Sequence, residues 1–367
     1  MNVKPPNAHG IMVDGVIRRT PGKAISRELP RPGSSPLRAT AVAVTHSDSC
    51  IHVAYLAKSS VYIYKLDVNE QSASLEREVL LPQPHGWQGI AIAGNFLAAW
   101  GFYSHERQLH MLDVRESQRQ TSLPRLYDVK MLVRVAVSKS GAAALISSQQ
   151  ILVVKIEDQT WSPPLVPQPG QNFTDAAFND TGDLLHAWAY GKNDSIYVWR
   201  CKDCVVNAKP ESETHYKTEK IGKPYLTRVV PYNAYQGCII AAQEKRFFAA
   251  RLGSATTSLR ESSASTAKAA SQPLQHNAKI VDAKAACVFC DHSLITVERR
   301  WHGSVLKEYR VEYSGKNAEL GTGVEICKLD TGREESARLV VGEWGDNVMA
   351  VVCNLNAVVE FVKIVPV

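Results

Sequence analysis

FTDAAFNDTGDLLHAWAYGKNDSIYVWR, residues Phe173–Arg200, decides the reading of this chain. An alternating apolar run reaches an Asn179-Asp180-Thr181-Gly182 turn. A second apolar run and a polar turn follow, and the segment closes on Ile196-Tyr197-Val198-Trp199. Alternation with period two, broken by residues that favour tight turns, predicts three short strands joined by two hairpins.

The same unit recurs on both sides of it. Leu132–Glu157 places Ser138-Lys139-Ser140-Gly141 where the first unit has Asn179-Asp180-Thr181-Gly182. Further copies lie at Thr40–Asp67, Gly89–Val114, Thr227–Leu252, Lys279–Tyr313 (longer and looser) and Ala337–Val365. Successive copies start roughly 40–60 residues apart, the spacing of propeller blades. The gaps leave room for a fourth strand, as at Arg77-Glu78-Val79-Leu80-Leu81. Runs such as Ile151-Leu152-Val153-Val154 and Val61-Tyr62-Ile63-Tyr64 are apolar on both faces, as strands buried on both sides require. A four-stranded sheet cannot hide two apolar faces alone, so each must pack between neighbours. The expected fold is all-β: a seven-bladed β-propeller of four-stranded antiparallel blades, spanning residues 39–367.

The seventh unit ends too near Val367 to supply its own outermost strand. Gly10–Arg18 (GIMVDGVIR), apolar at Ile11, Val13, Val16 and Ile17, is the expected donor that pairs beside the last blade and closes the ring. It lies within a basic, proline-rich arm, residues 1–38. Gly253–His276 is rich in Ser, Ala and Thr, with almost nothing to bury, and is expected to be a mobile surface loop.

Two units carry a family resemblance. Ala177-Phe178-Asn179-Asp180-Thr181-Gly182 resembles the apolar-Ser-Pro-Asp-Gly turn of WD40 repeats, and Val198-Trp199-Arg200 resembles their Trp-Asp ending. Val137-Ser138-Lys139-Ser140-Gly141 is a second match. Most units lack the Gly-His and Trp-Asp dipeptides, so the resemblance is to a degenerate member whose hydrogen-bonded tetrad is incomplete. It implies a scaffold that binds other macromolecules through its loops and central channel.

Charge narrows the partner. The chain carries +6, but residues 1–38 alone hold seven basic and two acidic side chains, leaving about +1 for the rest. A nearly neutral globule argues against a nucleic-acid groove, although the arm and the cluster Arg299-Arg300-Trp301-His302 keep that alternative open. No run approaches the roughly 18 apolar residues of a membrane span, and MNVKPPNAHG lacks a signal-like apolar region. The expectation is an intracellular, cytoplasmic or nuclear monomer. Its eight cysteines are then read mainly as reduced, buried small hydrophobes.

Neither a Gly-x-Ser-x-Gly elbow nor a phosphate-cradling Gly-x-x-x-x-Gly-Lys-Ser/Thr loop occurs, and the histidines are scattered among units. A propeller enzyme of the lactonase or cyclase type is the alternative, with a propeller lectin a further one; the tryptophans do not recur at one repeat position, as a multivalent lectin favours. Cys201-Lys202-Asp203-Cys204 and Cys287-Val288-Phe289-Cys290 stand about 80 residues apart, outside compact zinc-ribbon spacing. No metal, cofactor or catalytic residue is therefore expected, Cys201 and Cys204 being the nearest to a metal site. The expected function is a non-catalytic protein–protein interaction scaffold. Its binding surface is expected on connecting loops, at His85 and Trp87 and at Arg299, Arg300 and Trp301, because exposed aromatics and arginines anchor interfaces.

Overall fold

A computed structural model describes residues 12–13, 16–17, 24–30, 39–46, 50–82, 85–103, 106–114, 120–122, 132–157, 160–179, 181–191, 194–200, 210, 212–217, 228–231, 238–243, 246–251, 272–273, 283–289, 293–314, 317–332, 337–344 and 347–364. Every regular element among them is a strand. Near the N-terminus lie β1 (Met12–Val13), β2 (Val16–Ile17) and β3 (Ala24–Glu28).

Sheet I is the meander β4 (Ala41–His46), β5 (Ile51–Ala57), β6 (Ser60–Asp67) and β7 (Ser72–Leu80). Sheet II repeats it with β8 (Trp87–Ala93), β9 (Phe96–Tyr103), β10 (Glu106–Asp113) and β11 (Gln120–Ser122). Sheet III holds β12 (Leu132–Val137), β13 (Ala142–Ser147) and β14 (Ile151–Lys155). Sheet IV holds β15 (Asn172–Phe178), β16 (Leu184–Tyr190), β17 (Asp194–Arg200) and β18 (Ser212–Lys217). In sheet V are β19 (Arg228–Pro231), β20 (Cys238–Gln243) and β21 (Arg246–Arg251); β22 (Gln272–Pro273) runs parallel to β18. Sheet VI comprises β23 (Ala283–Phe289), β24 (Ser293–Arg300), β25 (Gly303–Ser314), β26 (Asn317–Leu320) and β27 (Val324–Leu329). Sheet VII comprises β28 (Ala337–Trp344), β29 (Asn347–Asn354), β30 (Val358–Ile364) and, from the other end of the chain, β3.

The first strands touch in succession: β4 lies beside β8, β8 beside β12, β12 beside β15, β15 beside β19, β19 beside β23 and β23 beside β28. The last of them, β28, lies beside β4.

Period-two alternation on doubly buried strands builds the core between sheets. Along β5, Ile51, Val53 and Tyr55 pack with Val340, Val351, Val359 and Phe361 of sheet VII. The intervening Ala54 and Leu56 pack with Ile90, Ile92, Leu97 and Leu112 of sheet II. One strand thus feeds two cores, each burying apolar area at roughly 25 cal/mol per Å². Trp199, Tyr197 and Phe173 fill the core between sheets III and IV.

The two turns that resemble each other also touch. Gly182 has φ +76°, and a Cβ there would lie 3.1 Å from the Lys139 and Ser140 amide nitrogens, so glycine serves both conformation and contact. Ser140 Oγ donates to Gly182 O at 2.9 Å, tying the first turn of sheet III to that of sheet IV. The Gly94 amide, in the first turn of sheet II, donates to Thr45 Oγ1 of β4 at 3.0 Å and links sheets I and II. Deeper in, Arg134 of β12 donates from one nitrogen to both carboxylate oxygens of buried Asp175 on β15, at 3.0 and 2.9 Å.

An N-terminal strand does pair with the last sheet, but it is not the expected one. β3 takes that place, with Ala24 opposite Val362, Ser26 opposite Glu360 and Glu28 opposite Val358. Residues of Gly10–Arg18 pair with each other instead, Met12 opposite Ile17 and Val13 opposite Val16. β3 is held in its position by Leu29 and Pro30, the two residues after it. Leu29, 3% exposed, enters the core between sheets VII and I, its amide donates to Ala357 O at 2.9 Å, and Pro30 O accepts Tyr64 OH at 2.9 Å. Apart from Gln272 and Pro273, the Gly253–His276 segment lies outside the described residues, as do Cys201 and Cys204.

Candidate functional site

The Arg299–Trp301 cluster lies on the hairpin joining β24 to β25. Arg299 pairs with Ser304 and Arg300 with Gly303, leaving Trp301-His302 as a two-residue tip; Gly303 has φ +128°. The lower part of the hairpin is fixed in the core through Ile295, Val297 and Leu306. Buried Glu298 accepts hydrogen bonds from Thr296 Oγ1 at 3.1 Å and from the Tyr309 hydroxyl, and pairs with Lys307 Nζ at 2.8 Å. Burial, reinforced by Glu298, holds the Tyr309 phenol well above its ordinary pKa, so it stays a donor.

On this rigid base Trp301 is 78% exposed, its ring edge-on to His302 at 6.3 Å. Arg299 and Arg300 are exposed beside it, Arg300 standing 3.5 Å from Glu325 across the sheet. A half-exposed ion pair at that distance holds the guanidinium weakly, within about 1 kcal/mol.

His85 and Trp87 part company. His85 is exposed, and its carbonyl accepts Gln108 Nε2 at 3.2 Å. Trp87 is 7% exposed and packs into the core between sheets I and II, so it presents no surface to a partner and leaves the candidate site. Gly86 just before it has φ +88°, and a Cβ there would fall 2.0 Å from Phe102 O, so only glycine allows this approach. The Phe102 amide donates to Gly86 O at 2.7 Å, so the chain is held close to β9 just before β8 begins.

A cavity of about 380 Å³ opens between the turns of sheets III and IV, lined by Ser140, Gly141, Ala142, Lys155, Glu157, Gly182, Asp183 and Arg200. Asp183 accepts Asn179 Nδ2 at 2.6 Å and Thr181 Oγ1. Burial pushes its pKa up, but the Thr181 and Asn179 donors and the Arg200 charge outweigh this and hold it below its usual value. The three hydroxyls at these turns are all engaged: Ser138 Oγ accepts the Ala142 amide, Ser140 Oγ donates to Gly182 O, and Thr181 Oγ1 donates to Asp183. On sheet I, His52 Nε2 lies 2.9 Å from Glu76, and Cys50 Sγ lies 3.9 Å from each ring nitrogen. Equal distances put the sulfur off both lone-pair axes, a geometry unsuited to proton transfer. Spacing alone gave no sign of this trio, because Glu76 arrives from β7. Among the described residues no group of three or more His, Cys, Asp or Glu side chains is placed to hold a metal ion.

His186, buried on β16, has its pKa pushed down to about 4 because burial disfavours the imidazolium, Asp183 opposing this only in part. Its Nδ1 finds no hydrogen-bond partner among the described residues. The unfolded chain binds this proton near pH 6.5 and the folded one near 4, so stability is present above pH 6.5 and declines as pH falls towards 4. The loss at pH 4 is expected to be about 3 kcal/mol by urea unfolding, and His186→Gln should flatten that pH dependence.

No family model matches the chain, and no curated protein matches it in sequence. Its fold does have solved counterparts. A chain of the mitotic checkpoint complex aligns with TM-score 0.55 at 12% identity, covering 100% of this chain and 98% of that one. The β-propeller domain of Cps50 (Swd1) from Myceliophteria thermophila aligns with TM-score 0.58 at 12% identity, covering 93% and 100%. A chain from the S. cerevisiae complex of dbp5 with nup159, gle1, IP6 and ADP aligns with TM-score 0.54 at 9% identity, covering 94% and 95%. The structural neighbours include WD40 β-propeller proteins, and the likeness is one of fold.

Proposed function

We propose that the chain is a seven-bladed propeller, closed where sheet VII meets sheet I, and that it works as a non-catalytic scaffold binding a protein partner. The cycle of first-strand contacts from β4 round to β28 and back supports the ring. The observation that carries the function is Trp301, a large apolar ring held 78% exposed between basic side chains on a hairpin anchored in the core. An aromatic anchor with arginines around it is the usual centre of interface affinity. Arg299, Arg300 and Trp301 form this anchor. In a ring whose sheets all run alike, the β24–β25 hairpin and the β7–β8 connection leave at the same end, which puts His85 on the same face. The near-neutral charge beyond residue 38 favours protein over nucleic acid as the partner, and the chain acts as an intracellular monomer.

The test compares the protein with its Arg299→Ala/Arg300→Ala/Trp301→Ala variant in affinity purification from the native source, read by mass spectrometry. The variant should recover at least about tenfold less of the specific partners while keeping the same urea midpoint, since exposed side chains contribute little to stability. Equal partner recovery by both proteins defeats the assignment of this surface.

A further inference from the structure

Between β14 and β15 the chain runs Trp161-Ser162-Pro163-Pro164-Leu165-Val166-Pro167-Gln168-Pro169-Gly170. Trp161 bridges Val154 of β14, and from there the hydrogen bonds to neighbouring strands fall at Ser162, Leu165 and Gln168. The Ser162 amide donates to Val153 O at 2.7 Å, and Ser162 Oγ accepts the Val153 amide at 2.9 Å. Leu165 exchanges two backbone bonds of 2.9 Å with Ile151, and the Gln168 amide donates to Tyr197 OH at 3.0 Å. Burial has the same period at its core: Ser162 and Leu165 are buried, while Pro163, Val166 and Pro169 are exposed, Val166 by 61%. Pro164 is exposed and Pro167 half-buried.

Three residues per turn is the repeat of a polyproline II helix, a triangular prism without internal hydrogen bonds. The bonds and burial of this segment follow the same spacing, with Ser162 and Leu165 sunk against β14 as one edge of such a prism would be. The two others face outward and carry the pairs Pro163-Pro164 and Val166-Pro167, with Leu165 as the inward spacer. Prolines lack an amide proton, so they also end the sheet at the β14 edge. Edge protection accounts for the buried positions and for proline as such. It does not call for an apolar valine standing 61% exposed between them, where a polar residue would cover the edge equally well.

We infer that Pro163–Pro167 is a docking site for a partner protein with an aromatic-lined, proline-reading groove. Such grooves hold Pro-x-x-Pro segments through proline rings and free carbonyls, and a segment already fixed in the bound shape loses little entropy on docking. Pro164-Leu165-Val166-Pro167 supplies that spacing, and the strap to β14 supplies the fixing. The site is separate from the Arg299–Trp301 hairpin and does not depend on it.

The test titrates the full chain into a panel of purified, isotope-labelled SH3 and WW domains, following amide and tryptophan resonances. At least one domain should bind saturably, with shifts confined to its aromatic groove. Pro164→Ala/Pro167→Ala should weaken that binding about tenfold or more, as should Val166→Asp, which leaves the buried edge intact. The Arg299→Ala/Arg300→Ala/Trp301→Ala variant should bind the domain as well as the parent chain, which separates this site from the other surface. Absence of groove binding across the panel overturns the inference. So does binding unchanged by both variants, or binding shown by the free ten-residue peptide and not by the folded chain.

Discussion

Deleting residues 1–30 is expected to destabilise the protein by at least about 4 kcal/mol and to make it self-associate. The deletion removes the β3 ladder on β30 and the buried Leu29, which alone is comparable to a core leucine worth about 2–5 kcal/mol. It also frees Tyr64 OH from Pro30 O and strips Asp330 of the Ser26 hydroxyl. The outer edge of β30 then offers unpaired backbone groups to other copies. Deleting only residues 1–18 removes β1 and β2, which pair with each other, and should shift stability by less than about 0.5 kcal/mol. Urea unfolding with light scattering separates the two. Equal stability of both truncations sinks the role given to β3.

The second large effect contrasts two tryptophans. Trp199 is 1% exposed in the core between sheets III and IV, stacked on Tyr197 at 5.5 Å and edge-on to Phe173 at 6.2 Å. Trp199→Ala removes the largest fully buried side chain there and leaves a cavity, so a loss of about 4 kcal/mol is expected. Trp301→Ala, at the exposed hairpin tip, should change stability by less than about 0.5 kcal/mol. Urea denaturation of both variants is the measurement. A Trp199→Ala variant as stable as its parent contradicts the packing described for that core.

The strands were legible because their signals are local. Asn179-Asp180-Thr181-Gly182 marks one turn of the hairpin pair in Phe173–Arg200, and β15, β16 and β17 run through that segment. What the sequence hid depends on partners distant along the chain. Gly10–Arg18 is apolar at Ile11, Val13, Val16 and Ile17, whereas β3 reads AISRE and is apolar mainly at Ala24 and Ile25. An outer strand needs only one apolar face, so its pattern is weak; its placement comes from Leu29 and Pro30 just beyond it. Trp87 looked like a loop aromatic because the close approach of Gly86 to Phe102 cannot be read from His85-Gly86-Trp87 alone. The bulges that offset β8, β12, β15 and β23 near their starts, at Trp87/Gly89, Leu132/Arg134, Phe173/Asp175 and Ala283/Ala285, share no sequence motif. They repeat because the sheets pack alike. On the candidate surface, chemistry singled out Arg299, Arg300 and Trp301, but exposure had to come from the structure. The cavity beside Asp183 and the Cys50–His52–Glu76 trio join residues from separate strands, which spacing could not assemble.

Ser26 and Asp330, 304 residues apart, meet in the finished molecule. During synthesis at about 5–20 residues per second, the first of them is incorporated roughly 15–60 s before the second. Through that interval β3 has no β30 to pair with, and Leu29 has only the sheet I half of its core. The last sheet therefore cannot gain its fourth strand until the end of the chain has been made, so closure of that sheet is necessarily the late, long-range step of folding.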